Sequence, residues 1–274
     1  MSRSPAPFGR RAAKIVARET LGAYVVIRAS DPGGPVPRPG QFYMLQAAER
    51  WGGGEGERPF LPRAFSVLRM IGSPPTPELH FLIEDVGPGT NRLCELEAGE
   101  ELLLVGPLGN GFEAPREGRG ALLVGGGVGI APLAIWQDEL DASTPALLGF
   151  RDAEHAVGAG LMANASVATD DGSVGHHGLV TDLLEEQLDA RGDELEVYAC
   201  GPPAMLEAVR ATCVRHAVPA QLALESGMAC GFGACFGCLV PTVDGYVRLC
   251  LEGPVLDAER LVGAAAFAGT GAGH

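Results

Sequence analysis

Short runs of alternating hydrophobic and polar residues fill the first hundred or so positions of the chain and are separated by turn residues. A period of two over four to eight residues is typical of half-buried β-strands, and several such runs in succession indicate a small antiparallel barrel. Residues 31–40 form a Pro/Gly-rich turn region and residues 49–57 a Gly/Glu-rich surface loop. Residues 91–97 form the one helix predicted in this first part of the chain. The strands predicted here are 12–19, 24–29, 41–46, 64–69, 78–84 and 101–105.

The pattern changes near Gly118, where apolar runs begin to alternate with amphipathic segments. This order predicts a parallel sheet with crossover helices. Its strands are expected at 121–124, 146–150, 166–169, 194–199 and 221–224, and its helices at 130–140, 181–188 and 203–216. The predicted fold class is therefore multidomain, β followed by α/β. The expected parts are a barrel (1–115), an α/β domain (116–222), a cysteine-rich module (223–262) and a flexible tail (263–274).

Composition narrows the classes of partner. The chain has 274 residues, 46% of them hydrophobic, which is enough for two domain cores, and its net charge is −14. This acidity argues against binding to nucleic acid or to anionic membranes. The longest apolar stretch, 121–136, contains glycines and a proline and is too short to span a bilayer. Residues 1–14 lack the apolar core of a secretory signal, so a cytoplasmic protein is expected.

Four cysteines near the C-terminus have the spacing C-x4-C-x2-C followed by a more distant cysteine, which is typical of plant-type [2Fe–2S] sites. Gly231, Gly233 and Gly237 are expected to let the loop curl around a cluster. A structural zinc site usually has two C-x2-C pairs, and disulfides are not expected without a secretory signal, so both alternatives are weaker. The predicted cluster ligands are Cys230, Cys235, Cys238 and Cys250.

Two motifs in the barrel are candidate ligand contacts. Arg63 could clamp a pyrophosphate, Phe65 could flank a planar ring, and the Ser66 hydroxyl could bond a ring nitrogen; the alternative is an ordinary strand with an exposed arginine. Gly89 and Thr90 lie at the start of the predicted helix. They could bind a phosphate through backbone amides, or form a simple turn with a threonine cap.

The predicted α/β domain contains a second group of candidates. A glycine run with Gly125, Gly127 and Gly129 joins a strand to a helix and favours close approach to a diphosphate. Asp171 follows a later strand and could bond a ribose hydroxyl, which favours NAD over NADP, although Asp-Gly is also a turn signal. A further strand ends at Cys200, Gly201 and Pro202, and Cys200 could adjoin a nicotinamide or be a buried spacer.

The order of these motifs resembles the ferredoxin–NADP reductase superfamily with a C-terminal [2Fe–2S] domain. The chain is most similar to the electron-transfer subunits of type 1B, NAD-dependent dihydroorotate dehydrogenase. The resemblance covers roughly residues 12–261, and its most specific parts are the cysteine loop and the run Gly-Pro-Leu-Gly-Asn-Gly at 106–111. Further matching residues are 63–66, 89–90, 125–132, 169–178 and 225–231.

The resemblance implies FAD on the barrel, NAD(H) on a Rossmann-like domain and a cluster facing a partner. The implied partner is an FMN-containing catalytic subunit that oxidises dihydroorotate in pyrimidine biosynthesis, in a heterotetramer of two subunits of each kind. Electrons pass from the cluster to FAD and leave as hydride to NAD+, so no protein acid, base or nucleophile is expected to be catalytic. By matching position, FAD is held by Arg63, Ala64, Phe65, Ser66, Leu82, Ile83, Glu84, Gly89 and Thr90.

Two departures and two alternatives accompany the resemblance. Ala64 stands where the family usually has proline, and residues 49–57 are an insertion before the flavin strand.

The first alternative is the small flavoprotein subunit of an NAD(P)H:ferredoxin oxidoreductase or bifurcating transhydrogenase, which can carry Asp in place of one cluster Cys. The second is a redox sensor. Glu225 could lie near the flavin or be a solvated carboxylate.

Overall fold

The computed structural model describes residues 9–52, 59–73 and 75–267, which form two seven-stranded sheets and one two-stranded hairpin. Most of the insertion at 49–57 lies outside the described residues. The strands are β1 (Arg11–Leu21), β2 (Tyr24–Ser30), β3 (Phe42–Ala47), β4 (Arg63–Ser66), β5 (Arg69–Ile71), β6 (Glu78–Glu84), β7 (Glu101–Leu108), β8 (Gly120–Gly126), β9 (Ala146–Phe150), β10 (Ala165–Thr169), β11 (His176–His177), β12 (Leu195–Cys200), β13 (Ala220–Ala223), β14 (Leu239–Thr242), β15 (Gly245–Arg248) and β16 (Val255–Asp257). The α-helices are α1 (Pro88–Cys94), α2 (Ile130–Leu140), α3 (Ala153–Ala156), α4 (Val180–Arg191), α5 (Pro203–Arg215) and α6 (Leu249–Glu252).

The first sheet is antiparallel, in the order β4-β3-β7-β1-β2-β6-β5, and its two edge strands follow each other in the chain. Between them, the Val67 N–H donates to the Gln41 carbonyl at 3.4 Å and the Leu68 N–H donates to the His80 carbonyl at 2.9 Å. The first bond continues the pairing of β4 with β3 and the second begins the pairing of β5 with β6, so the chain passes directly from one edge of the sheet to the other and closes it into the expected barrel. The predicted strand 64–69 is therefore wrong as a single element, because the chain changes edges at Val67 and Leu68.

Helix α1 begins earlier than the predicted helix 91–97. Pro88 is at its start, where proline is tolerated because the first amides of a helix have no intrahelical acceptor. Thr90 in the first turn accepts from the backbone of Gly87 at 3.0 Å. These contacts set the start of α1, and Cys94 is its last residue.

The second sheet has the order β11-β10-β9-β8-β12-β13-β16 and is parallel except at one edge, where β13 pairs antiparallel with β16. Every residue of β12 is buried, as expected for a central strand covered by helices on both faces. The antiparallel barrel followed by a predominantly parallel α/β sheet confirms the predicted fold class. Strand β16 was not predicted, since it belongs in sequence to the cysteine-rich module.

The expected flexible tail is wrong for its first residues. Gly263–Ala266 forms a 3-10 helix. Ala266 and Phe267 are buried in the same apolar cluster as α4, α5 and the hairpin β14–β15, because their side chains remove apolar surface from water. The remaining tail residues, 268–274, lie outside the described residues.

The barrel and the α/β domain are joined by specific polar contacts. Arg69 of β5 donates to Asp138 of α2 at 2.8 Å and to the Leu161 carbonyl at 2.7 Å. The β1–β2 turn also docks here, since the Ala23 N–H donates to the Glu154 carbonyl at 3.3 Å. These contacts fix the cleft between the two domains. Among the described residues, no helix combines the length and apolar character that crossing a membrane requires.

Candidate functional site

A cleft of about 500 Å³ lies between the barrel, the start of α2 and the segment that follows β13. Strand β4 lines one wall along its whole length, through Arg63, Ala64, Phe65 and Ser66. The structure thus brings most of the predicted flavin residues together. Those that line the cleft are Arg63, Ala64, Phe65, Ser66, Leu82, Glu84 and Thr90.

Two of the predicted flavin residues do not line the cleft. Ile83 is fully buried in the barrel core, because successive residues of β6 point to opposite faces. Gly89 lies beneath Arg63, and a Cβ atom there would be 2.7 Å from the arginine Nε. The glycine therefore makes room for the guanidinium, whose Nη1 donates to the Leu61 carbonyl at 2.7 Å. This cation beside the cleft suits an anionic group such as a pyrophosphate.

The Thr90 hydroxyl belongs to the turn before α1. It accepts from the N–H groups of Val86 at 2.9 Å and Gly87 at 3.0 Å, and it donates to the Gly87 carbonyl at 3.0 Å. The sequence left two roles open for Gly89 and Thr90, phosphate binding and helix capping. The hydrogen bonds of the Thr90 hydroxyl are those of a cap.

The opposite wall of the cleft comes from two stretches that carry the family resemblance, 125–132 and 225–231, and includes Glu225, as expected for a carboxylate near the flavin. Val128 and Ala131 contribute from the start of α2, and residues 225–229 contribute from the segment before the cysteine loop. The Ser226 Oγ atom is buried and has no hydrogen-bond partner among the described residues. An orphaned hydroxyl on a ligand-sized cleft fits a bound polar group. Ser226 itself was not assigned a role from the sequence, where its one distinguishing feature is its position four residues before Cys230.

The glycines between β8 and α2 have two different surroundings: some lie in close packing contacts, and Gly127 faces open space. A Cβ atom at Gly129 would lie 2.5 Å from the Cys200 carbonyl oxygen, and one at Gly125 would lie 3.0 Å from Ile130 Cγ2. Gly129 therefore allows the turns after β8 and β12 to touch, and Gly125 allows β8 to pack closely against α2 and β9. Gly127 has φ +53° and no atom within 4 Å of a built Cβ, so its backbone is the part that a diphosphate could approach.

The other predicted nucleotide residues lie at the same carboxyl edge of the sheet. Asp171 is exposed, and its Oδ1 accepts from the Ser173 N–H at 2.9 Å; hydrogen bonding from Ser173 lowers the pKa of the carboxyl. Cys200 is 1% exposed, and burial raises the pKa of its thiol, in agreement with the buried-spacer interpretation. Gly201 and Pro202 form the turn into α5, where a Cβ at Gly201 would lie 2.7 Å from Met205 Cε.

A polar network connects this edge to the cleft and was not predicted. His155 Nδ1 lies 2.7 Å from Asp152 Oδ1, and its Nε2 lies 3.3 Å from Glu84 Oε1. Arg151, directly after β9, forms an ion pair with Glu84. The two ends of the network are remote in sequence, so only the fold reveals that a cleft residue of the barrel is bonded to the nucleotide edge.

The predicted cluster ligands contact one another in pairs, Cys238 with Cys250 and Cys230 with Cys235. The Sγ atoms of Cys238 and Cys250 are 3.3 Å apart, and the Gly237 N–H donates to Cys235 Sγ at 3.4 Å. Burial opposes ionisation of Cys230, but backbone N–H groups of the loop outweigh it and lower the pKa of that thiol to about 7. The side-chain hydrogen bond with Cys250 lowers the pKa of Cys238 to about 6. The same hydrogen bond raises the pKa of Cys250. A group of thiols of which two, Cys230 and Cys238, ionise readily fits an iron–sulfur cluster, whose ligands are thiolates.

The cysteine loop rests on the barrel. Gly231 and Gly233 have φ +77° and +83°, and a Cβ at Gly231 would lie 2.5 Å from Met44 Cγ. Gly237 is not in the left-handed region, contrary to prediction; Phe236 adopts φ +58° in its place. The curl therefore uses two of the three expected glycines and one aromatic residue.

Comparisons with known proteins agree with this arrangement. Residues 225–262 match the family model of the iron–sulfur cluster binding domain of dihydroorotate dehydrogenase B. The electron-transfer subunit of NAD+-dependent dihydroorotate dehydrogenase B from Caldanaerobacter subterraneus subsp. tengcongensis is 35% identical over 91% of this chain and 97% of its own length. The probable counterpart from Thermoplasma volcanium is 37% identical over 82% of this chain and 81% of its own length.

Among solved structures, an NADH-dependent reduced ferredoxin–NADP oxidoreductase, studied for flavin-based electron bifurcation, superposes with a TM-score of 0.77. It is 25% identical and covers 96% of this chain and 94% of its own. The full-length likeness to the curated relatives is closer in sequence and confirms the resemblance stated from the motifs. The chain belongs to the family of electron-transfer subunits of NAD+-dependent dihydroorotate dehydrogenase B.

Proposed function

We propose that this protein takes electrons from a dihydroorotate-oxidising, FMN-containing subunit through a [2Fe–2S] cluster and FAD, and delivers them to NAD+. The observation that carries the proposal is the continuity of residues 225–229 with Cys230, because the segment lining the flavin cleft leads directly into the cluster loop. When bound, the cluster supplies one-electron transfer, and FAD converts single electrons into the pair that a hydride requires.

The chain's own residues bind and orient these groups. We assign Arg63 to the FAD pyrophosphate, Phe65 and Ser66 to the ring system, and the orphaned Ser226 hydroxyl to a polar atom of the same ligand. Four thiolates bind the cluster, at Cys230, Cys235, Cys238 and Cys250. No protein acid or base is needed, since the electron carriers supply the chemistry.

The nicotinamide dinucleotide is assigned to the carboxyl edge of the second sheet, where open α/β sheets bind their ligands. The assignment places its diphosphate over Gly127 and its ribose near Asp171. The three functional parts, 1–115 for FAD, 116–222 for NAD and 223–262 for the cluster, remain part of the proposal. The cytoplasmic location expected from the sequence also remains a prediction.

The cluster loop offers a surface for the FMN-containing partner. Cys235 is exposed, and the aromatic residues beside it in sequence are accessible, Phe232 being 45% and Phe236 56% exposed; Tyr246 of the hairpin β14–β15 is 75% exposed. Exposed aromatic residues of this kind mark protein interaction sites. We infer that the FMN subunit docks here, in a complex of two subunits of each kind, so that electrons enter at the cluster.

Co-expression with the FMN-containing catalytic subunit tests the proposal. The expected result is a complex that contains FMN, FAD and [2Fe–2S] and reduces NAD+ with dihydroorotate, whereas the catalytic subunit alone does not reduce NAD+. The 25% identical bifurcating structure favours one second candidate, a ferredoxin–NAD(P) oxidoreductase subunit. Failure of dihydroorotate to reduce NAD+, together with NAD(P)H-dependent ferredoxin reduction alongside a large flavoprotein subunit, would overturn the first candidate in favour of the second.

A further inference from the structure

Arg248, the last residue of β15, contacts the cluster loop at two separate points. Its Nη1 donates to the Gly233 carbonyl at 3.2 Å, and its guanidinium lies 5.2 Å from the centroid of the Phe236 ring. Glu252 anchors the same residue, accepting from the Arg248 backbone N–H at 2.8 Å and from Nη2 at 3.2 Å. The side chain is therefore held in one position against the loop.

In the sequence, the residues that Arg248 contacts lie between or just after the predicted cluster ligands. Gly233 lies between the first two cysteines and Phe236 lies between the second and third, while Glu252 follows the fourth by two residues. Phe236 has a left-handed backbone, which is uncommon for an aromatic residue and persists only where its surroundings hold it. The guanidinium over its ring supplies such a contact.

Arg248 also brings a positive charge into direct contact with the loop. Residues 225–262 contain only two cationic residues, Arg248 and Arg260. Arg260 pairs with Asp244 at 3.6 Å, at the turn of the hairpin, whereas Arg248 pairs in register with Leu239 at its open end. The two arginines therefore belong to the same module but lie at opposite ends of β15.

We propose that Arg248 raises the reduction potential of the iron–sulfur site and that Glu252 partly offsets this effect. Reduction adds one electron to the site without transferring a proton to Arg248 or changing a bond there. A nearby cation stabilises the added negative charge and a nearby carboxylate destabilises it, which is how net charge tunes such potentials. The inference rests on the proposed function, because it requires the cluster to be present. Arg248 is a positioning residue in this account.

The test is an EPR-monitored redox titration of the flavin- and cluster-loaded protein, with the iron and sulfide content measured for every variant. Arg248→Gln is expected to shift the midpoint potential downward and Glu252→Gln to shift it upward. Arg248→Lys, which keeps the charge but loses the planar contacts, is expected to retain most of the wild-type potential. Arg260→Gln, the matched loss of one cation in the same module, is expected to leave the midpoint unchanged.

The opposite signs of the two expected midpoint shifts distinguish an effect of charge from an effect of loop positioning. Arg248→Gln and Glu252→Gln both break the same ion pair, so a purely mechanical clamp would make both variants lose cluster or shift in one direction, and that result would overturn the inference. An unchanged midpoint in both variants would overturn it as well. Absence of a [2Fe–2S] EPR signal from the reduced wild-type protein would overturn the proposed function itself, which distinguishes the two failures.

Discussion

Cys235 is the exposed member of the cysteine set and lies on the surface assigned to the partner. Cys235→Ser replaces a thiolate ligand with a weakly acidic hydroxyl, so we expect loss of the cluster and of dihydroorotate-dependent NAD+ reduction. FAD and NADH-to-dye activity should survive in part, because the cleft is built from other residues. The measurements are visible spectra and both activities, with the exposed Ala234→Ser as the control in the same loop.

Loss of bound FAD along with the cluster in Cys235→Ser would contradict this separation of the two sites. It would mean that residues 225–229 keep their cleft geometry only while the cluster holds the loop.

Glu100 gives the barrel a pH-dependent contribution to stability. Its carboxylate accepts from the Glu97 N–H at 2.7 Å and from Arg92 Nη2 at 2.6 Å, and the backbone bond followed by the arginine lowers its pKa below 4.5. A lowered folded-state pKa means that the stabilisation is present above pH 4.5 and is lost as pH falls through the folded-state value. Glu100→Gln should therefore destabilise the protein at neutral pH, by about 1 kcal/mol or less after solvent screening.

Thermal unfolding of wild type and Glu100→Gln between pH 3 and pH 7 measures this contribution. The difference between the two melting temperatures should be largest near neutrality and should disappear in acid. A difference that stays constant with pH would show that the carboxylate charge is not its origin.

At this scale, the sequence predicts what depends on local spacing and misses what depends on long-range contact. The prediction of four cysteine ligands rests on their spacing, and Cys238 and Cys250 do lie in contact. The Ser226 hydroxyl and the Arg151–Glu84 pair carry no local pattern, because their partners are brought to them only by the packing of two domains.

Among the elements, the cluster loop depends on glycines with left-handed backbones, and Gly231 is the one that touches the barrel. Gly231 has φ +77° and touches Met44 of β3, so Gly231→Ala combines backbone strain with a clash. We expect a cost of about 1–2 kcal/mol and a reduced iron content. Gly160→Ala is the matched control, since no atom lies within 4 Å of a built Cβ and its φ is not in the left-handed region. Melting temperature and iron per chain are the measurements. Equal values for both variants would contradict a close contact between the cysteine loop and the barrel.

Elements with a strong period were predicted well, and those set by tertiary hydrogen bonds were not. Strand β6, strand β9 and helix α2 have the predicted bounds, because apolar periodicity determines them locally. The division of residues 63–71 into β4 and β5 escaped prediction, since it depends on two edges of the barrel meeting. Strand β16 escaped for a similar reason, as its pairing partner lies on the far side of the cluster loop in sequence.

For the molecule as a whole, the cleft depends on the contact between barrel and α/β domain. Arg69→Gln removes the bonds to Asp138 and to the Leu161 carbonyl, so the two walls of the cleft are held less firmly. We expect the FAD dissociation constant to rise about tenfold, equivalent to about 1.4 kcal/mol. Arg28→Gln is the control, because Arg28 pairs with Glu78 at 2.7 Å and both residues belong to the barrel domain. Fluorescence titration of the apoprotein with FAD measures both; equal effects would contradict an interdomain origin.

The antiparallel pairing of β16 with β13 has a consequence for how the protein is made. The chain leaves the ribosome N-terminus first, so the apolar strand Ala220–Ala223 emerges before the strand that covers its edge. Until Val255–Asp257 has been synthesised, that edge is open to pairing with other chains, which is a recognised route to aggregation. The cluster loop lies between the two strands. Completion of the second sheet and completion of the cysteine loop are therefore a single late event in biosynthesis, and a ribosome that stalls inside the loop leaves both unfinished.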